Sequence, residues 1–157
     1  MSAPKHWLAL AGLVIALDQA TKAWIVAVFQ VNESLTVTSF FNLVHVYNLG
    51  AAFSFLAGAS GWQRWFFVAL ALGVSLWLVA MLRRHAQDRL LSAALALILG
   101  GALGNLIDRV RLGAVVDFLH FHYADYHFPA FNVADSAISV GVALMLWHSL
   151  TAGKPAS

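Results

Sequence analysis

Two aspartates, Asp117 and Asp135, lie in largely apolar segments with no Lys or Arg within five positions of either. Two carboxylates that lie close together cannot both ionise cheaply, so one of them keeps its proton near neutral pH. One carboxylate can then activate a water molecule while the other protonates a carbonyl oxygen. If the fold brings the two residues together, they are equipped for aspartic hydrolysis of a peptide bond, which needs no metal and no covalent intermediate.

Each aspartate also has a purely structural interpretation. Asp117 could be a loop acid that faces water. Asp135 could stabilise the start of a helix, because Asn132 at the N-cap and an acid three residues later form a variant of the capping box. Capping would not explain the polar stripe that Asn132 and Asp135 form with Ser136 and Ser139 on an otherwise apolar helix. We expect this stripe to face the interior of a helix bundle.

Five further polar residues occupy two other apolar segments. Asp18 and Lys22 are four positions apart, so on one helix face they can neutralise each other or orient a group nearby. Asn105, Asp108 and Arg109 share a face of another predicted helix. They either cap and pair at the end of that helix, or Arg109 binds a substrate carbonyl or phosphate while Asp108 holds it in place.

Other chemistries have weaker signals. The chain has no His-Glu-x-x-His motif, and His120 and His122 are better explained as interfacial side chains than as metal ligands. A serine motif at 58–61, Gly58-Ala59-Ser60-Gly61, is similar to that of rhomboid-type intramembrane proteases, but it lies in a predicted loop. Its plausible partner His148 is expected at the opposite membrane face. The absence of Cys excludes disulfides and thiol chemistry. We predict neither a metal nor another cofactor.

The composition restricts the class of protein that carries these residues. Of the 157 residues, 61% are hydrophobic and 10% are charged, whereas soluble domains have about 45–50% and about 25%. The formal net charge is +2. These values exclude an ordinary soluble enzyme, a disordered chain and a nucleic-acid binder with a basic face. We therefore predict a small integral membrane protein with a single domain over residues 1–157.

Four runs of mostly apolar residues approach the length of about 20 that a helix needs to cross a bilayer. The predicted spans cover approximately residues 7–29, 65–82, 90–107 and 133–150. Most of the Lys and Arg residues near the span ends fall on one side: Lys5, Arg83, Arg84, Arg89 and Lys154. This bias predicts that both chain ends are cytoplasmic and that segments 30–64 and 108–132 are extracytoplasmic.

The outer segments carry signals of their own. Ser34–Thr38 and Phe41–Tyr47 are rich in β-branched and aromatic residues, which predicts two short strands. Phe118–Phe131 is aromatic but too short to span, so we expect it to rest on the membrane surface. Gly100 and Gly104 predict close approach of a neighbouring helix. The predicted fold is a membrane all-α bundle of four transmembrane helices, with a small extracytoplasmic β-sheet and an amphipathic surface segment.

Five blocks in the sequence follow one another in a specific order. They are Asp18-Gln19 with Lys22, Asn48-Leu49-Gly50-Ala51-Ala52-Phe53-Ser54, Gly100-Gly101-Ala102-Leu103-Gly104-Asn105-Leu106-Ile107-Asp108-Arg109, Val115-Val116-Asp117-Phe118, and Phe131-Asn132-Val133-Ala134-Asp135-Ser136. Any one block is weak alone. Together with four spans they resemble the signal peptidase II family, the lipoprotein signal peptidases, over roughly residues 5–150.

The resemblance implies a multi-pass aspartic endopeptidase of the bacterial inner membrane, with its active site near the outer face. Such enzymes remove signal peptides from prolipoproteins by cutting before a cysteine that bears a diacylglyceryl group, and globomycin inhibits them. The resemblance assigns catalysis to Asp117 and Asp135. Binding or support of the site falls to the other matching positions: Asp18, Lys22, Asn48, Gly50, Asn105, Asp108, Arg109, Asn132, Ala134 and Ser136.

The expected partners follow from the same resemblance. They are lipidated prolipoprotein substrates and membrane lipids, with no nucleic acid, and the chain is expected to be a monomer. One alternative is a subunit of a proton-coupled transporter whose buried acids relay protons. Four short spans without evident internal symmetry make that alternative less attractive. A non-catalytic membrane scaffold would leave the unpaired acids and the polar stripe unexplained.

Overall fold

The computed structural model describes residues 5–50 and 61–152. Within this part of the chain, four helices and four strands follow in the order α1 (Lys5–Val28), β1 (Ser34–Thr38), β2 (Phe41–Asn48), α2 (Trp62–Arg84), α3 (Arg89–Leu112), β3 (Val115–Tyr123), β4 (Tyr126–His127) and α4 (Val133–Ala152). Positions 51–54 of the second sequence block and most of the serine motif at 58–61 lie outside the described residues.

All four helices are long and apolar enough to cross a membrane, so the prediction of four spans is confirmed. Their ends differ from the predicted ones, most of all in α3, which continues five residues beyond Ile107. Asp108 and Arg109 therefore belong to the helix and not to an outer segment. The helix ends at Leu112, beyond the end of the apolar run, and is followed by Gly113, whose φ of 77° suits a glycine C-cap.

Helix α3 lies at the centre of the bundle, because it packs against α1, α2 and α4. Asp88 caps its start by accepting a hydrogen bond from the Leu91 amide. Its glycines allow the close approach that their spacing predicts. A Cβ on Gly100 would lie 2.7 Å from the Val14 Cβ of α1, and a Cβ on Gly101 would lie 2.4 Å from the Ala134 oxygen of α4.

The strands form one antiparallel sheet in the order β1-β2-β3-β4. The first two strands confirm the prediction, whereas no strand was predicted within Phe118–Phe131, the aromatic stretch that is expected at the membrane surface. That stretch contains most of β3 and all of β4, and Phe131 also bridges to Leu119. Aromatic residues suit a strand as well as a membrane surface, so their abundance alone did not predict β3 and β4.

Strand β3 is fixed to the C-terminal end of α1 by apolar contacts. The side chains of Val116 and Phe118 are buried with Ile25 and Phe29 in one cluster. Since side chains alternate along a strand, Asp117 points to the opposite face. The sheet therefore places the Asp117 carboxylate on the side away from this apolar cluster, where it contacts Asn132, directly before α4, and Asn48 at the end of β2.

We expect Gly101→Ala to destabilise the protein by about 1–3 kcal/mol, because the new Cβ would overlap the backbone of α4. Gly73→Ala is the matched control, since a Cβ on this α2 glycine would meet no atom within 4 Å. Thermal unfolding of both variants in detergent micelles measures the difference. Equal stability of the two variants would contradict the close packing of α3 against α4.

Candidate active site

Asp117 occupies a buried position in β3, with 2% of its surface exposed. Its Oδ1 accepts a hydrogen bond from the Asn132 side-chain amide at 2.8 Å, and its Oδ2 accepts one from Asn48 at 3.0 Å. Burial, together with the negative charge of Asp135, raises the pKa of Asp117 from its ordinary value to about 6. The two amide bonds and the positive charge of Lys22 act in the opposite direction.

Asp135 lies in the first turn of α4 and forms the predicted cap with Asn132. The Asp135 amide donates to the Asn132 Oδ1 at 2.9 Å, and the Asn132 amide donates to the Asp135 Oδ2 at 3.2 Å. The cap uses only the Oδ2 atom of the Asp135 carboxylate. The Oδ1 atom accepts a second hydrogen bond, from the Asn105 side chain at 2.8 Å. Asp135 therefore caps the helix and also joins a polar network that extends to α3.

Two asparagines connect the aspartates. The Asn132 side-chain nitrogen lies within hydrogen-bond distance of Asp117, of the Val116 oxygen and of the Asn105 Oδ1. Asn132 is fully buried and Asn105 is 6% exposed. Since Asn132 contacts one aspartate through its side chain and the other through its cap, it fixes β3 relative to the start of α4.

A buried charge cluster lies beneath these asparagines and consists of Asp18, Lys22 and Asp108. The Lys22 Nζ lies 2.8 Å from Asp18, as the i,i+4 spacing predicts, and also 3.0 Å from Asp108 on α3. It donates a further hydrogen bond to the Asn105 Oδ1 at 2.9 Å. The three charged side chains are at most 5% exposed, so each needs these partners to offset its desolvation.

Arg109 does not form the predicted pair with Asp108, whose carboxylate contacts Lys22. The Arg109 guanidinium lies 5.3 Å from the ring centroid of Phe67 on α2 and donates to the Asn105 backbone oxygen at 3.3 Å. The pairing was wrong because Lys22 approaches Asp108 from another helix, which the spacing within α3 cannot reveal. A guanidinium beside the aspartates can still contact a substrate carbonyl.

The remaining predicted site residues have identifiable local roles. Gly50 has a φ of 91° and donates its amide to the Asn48 Oδ1 at 2.8 Å. Ala134 is fully buried against α3, where a Cβ on Gly104 would lie 3.4 Å from the Ala134 Cβ. The Ser136 hydroxyl donates to the Asn132 backbone oxygen at 3.0 Å. The buried part of the polar stripe does not extend to Ser139, whose side chain is exposed.

One contact residue, Gln19, was absent from the predicted site. Its side-chain nitrogen donates to the Asp108 Oδ1 at 2.9 Å and also lies near Asp18 and the Gly104 oxygen. The signal in the sequence was a second polar residue next to Asp18 within an apolar span.

The imidazoles of His120, His122 and His127 lie on one face of the β3–β4 hairpin, with ring centroids 5.3–5.7 Å apart. Among residues 5–50 and 61–152, no group of three His, Cys, Asp or Glu side chains has the arrangement of a metal site. Two carboxylates linked through amides, one of them with a raised pKa, are suited to general acid–base chemistry.

Comparisons with known proteins agree with this arrangement. A family model described as signal peptidase (SPase) II matches residues 10–151. Lipoprotein signal peptidases of Azoarcus sp. (strain BH72) and Burkholderia vietnamiensis (strain G4 / LMG 22486) are 59% and 56% identical over 148 and 144 residues. The alignments cover 94% and 92% of this chain, and 84% and 87% of the two relatives.

Two solved structures have the same fold. They are bacterial membrane enzymes determined by the in meso method at 1.9 and 2.3 Å resolution, and each is 33% identical to this chain. The TM-scores are 0.83 and 0.84, with coverage of 93% and 98% of this chain and 93% and 94% of theirs. The matches extend over all four apolar helices and most of the chain, so the resemblance first found in five blocks is confirmed: the chain belongs to the signal peptidase II family.

Proposed function

We propose that this membrane protein is an aspartic endopeptidase in which Asp117 and Asp135 form the catalytic dyad. The observation that carries the proposal is the connection through Asn132, which contacts both carboxylates with its side chain and backbone. One carboxylate accepts a proton from the attacking water while the other donates a proton to the scissile carbonyl oxygen. Asn48 donates a hydrogen bond to the Asp117 Oδ2, and Asn105 donates one to the Asp135 Oδ1, so both carboxylates are held in place.

The proposed substrates are prolipoproteins that carry a diacylglyceryl group on the cysteine after the cleavage site. The names of the curated relatives, lipoprotein signal peptidases, support this class of substrate. A lipidated chain reaches an enzyme laterally through the bilayer, so a site at the ends of membrane helices suits it. We expect the cut immediately before the lipidated cysteine, with Arg109 close enough to contact the substrate backbone.

The proposed location is the bacterial inner membrane, with both chain ends in the cytoplasm. The run of Arg83, Arg84 and Arg89 between α2 and α3 supports this orientation. Asp117 and Asp135 then lie near the outer face, together with the sheet. The transporter alternative has no support, since the matched family and the named relatives are peptidases.

We expect Asp117→Asn and Asp135→Asn each to abolish cleavage while the protein stays folded. Asn keeps the size of the side chain but can neither take nor release the proton, and general acid–base help is worth about 10²–10⁴-fold. The assay is cleavage of a synthetic diacylglyceryl-modified prolipoprotein peptide by purified protein, with the product masses measured. The matched control is Asp125→Asn, which changes an exposed acid in the β3–β4 turn.

The capping interpretation of Asp135 makes a different prediction. It expects Asp135→Asn to lose about 1 kcal/mol of stability and to turn over substrate almost normally. Substantial cleavage by either folded variant would therefore refute the dyad. If the wild-type protein does not cut the lipidated peptide at all, the proposed reaction itself is wrong.

Asp117→Asn should become more stable relative to the wild type as the pH rises from 4 to 7. The folded wild type keeps the Asp117 proton up to a pKa of about 6, whereas the unfolded chain releases it near 3.8. Ionisation therefore disfavours the folded state by up to about 3 kcal/mol once the pH exceeds the folded pKa. Asn cannot ionise, so it avoids this cost.

Thermal unfolding in detergent micelles between pH 4 and pH 8 measures this effect, with Asp125→Asn as the control for loss of an acid. The difference between Asp117→Asn and the wild type should grow up to about pH 7 and then level off. A difference that stays constant across this range would show that burial does not raise the pKa of Asp117.

A further inference from the structure

The backbone next to each proposed catalytic aspartate is held by a carboxylate of the buried charge cluster. The Ala134 amide donates to the Asp18 Oδ1 at 2.9 Å, and Ala134 directly precedes Asp135. The Val116 amide donates to the Asp108 Oδ2 at 3.0 Å, and Val116 directly precedes Asp117. The distance between the two aspartates therefore depends on how Asp18 and Asp108 are fixed relative to each other.

Two side chains of α1 connect Asp18 to Asp108. The Lys22 ammonium contacts the Oδ2 atoms of both carboxylates, at 2.8 and 3.0 Å. The Gln19 nitrogen contacts the Asp18 Oδ2 at 3.2 Å and the Asp108 Oδ1 at 2.9 Å. Lys22 alone would leave the Asp108 carboxylate free to rotate about its Cβ–Cγ bond. Gln19 restrains its second oxygen and so fixes the plane in which Oδ2 meets the Val116 amide.

The orientation of the Gln19 amide follows from its surroundings. Its nitrogen faces two carboxylates and the Gly104 backbone oxygen, at 2.9–3.2 Å, and all three are acceptors. Only the amide nitrogen can donate to them, because Gln carries two donors on that atom and an acceptor on the other. A neutral donor is also suited to this position, since two carboxylates and one ammonium already give the cluster a negative formal charge.

We propose that Gln19 is a positioning residue for the dyad: it restrains Asp108 and Asp18, which in turn hold the backbone at Asp117 and Asp135. This inference rests on the proposed function. Gln19 itself does not touch the reacting atoms, and its removal lowers kcat by misplacing the two carboxylates. Substrate binding along the bilayer does not depend on it, so KM stays nearly constant.

The first test is Gln19→Leu, assayed with the diacylglyceryl-modified peptide as kcat and KM per folded molecule. We expect kcat to fall roughly tenfold or more, since a displacement of about 1 Å can cost about 10²-fold. KM should stay within about twofold of the wild type. Thr21→Val is the matched control, because the Thr21 hydroxyl bonds only to backbone oxygens of its own helix. It should leave kcat unchanged.

The second test is Gln19→Glu, which keeps the shape but replaces the donor with an acid facing Asp18 and Asp108, with Lys22 between them. An ionised Glu would repel both carboxylates, whereas a protonated Glu can donate one hydrogen bond to Asp108. The ratio of its kcat to that of the wild type should therefore rise as the pH falls. A side chain that only stabilised the fold would give a constant ratio in the folded fraction.

The outcomes separate this proposal from the proposed function. A folded Gln19→Leu variant with the kcat of the wild type would overturn the positioning role. If Gln19→Leu does not fold, a pH-independent ratio for Gln19→Glu would overturn it. Asp117→Asn is measured in the same assay: its turnover would refute the dyad, whereas an inactive Asp117→Asn beside a normal Gln19→Leu refutes only the role of Gln19.

Discussion

The fold of this protein depends on the cost of burying charge among membrane helices. Lys22 is 3% exposed, and its ammonium needs both Asp18 on its own helix and Asp108 on α3. Removing one member of such a group leaves an uncompensated buried charge, at a cost of about 3–5 kcal/mol. The group can exist only if α1 and α3 keep their relative position, and the glycines of α3 allow the close approach that this requires.

The same requirement extends outward from the charges to the proposed dyad. Buried polar groups are stable when they are hydrogen-bonded, and Asn105 and Asn132 supply partners to Lys22 and to the proposed dyad. Asn105 accepts from Lys22 and donates to Asp135, while Asn132 donates to Asp117. The hydrogen bonds that offset the burial of these polar groups are thus the same ones that orient the two proposed catalytic carboxylates. A site built in this way is rigid before substrate arrives, which favours acid–base chemistry between two fixed carboxylates.

Local spacing predicted the contacts within one helix, and only the fold supplied the contacts between elements. The pairing of Asp18 with Lys22 and the capping role of Asn132 follow from i,i+4 and i,i+3 geometry. The contact of Lys22 with Asp108 joins two helices, so the sequence suggested Arg109 as the partner instead. Strand β3 was missed because aromatic residues favour both strands and membrane surfaces. The family resemblance indicated which residues surround the site but not which atoms meet.

The central claim is that Asp117 and Asp135 act as one unit on a single water molecule. A double-mutant cycle on kcat, with each Asp→Asn change alone and both together, tests it most directly. Two residues that serve one step lose their function together, so the double variant should be within about threefold of the slower single variant. Independent roles would instead multiply the two losses, each of about 10²–10⁴-fold, and a double variant slower by that product would contradict the account.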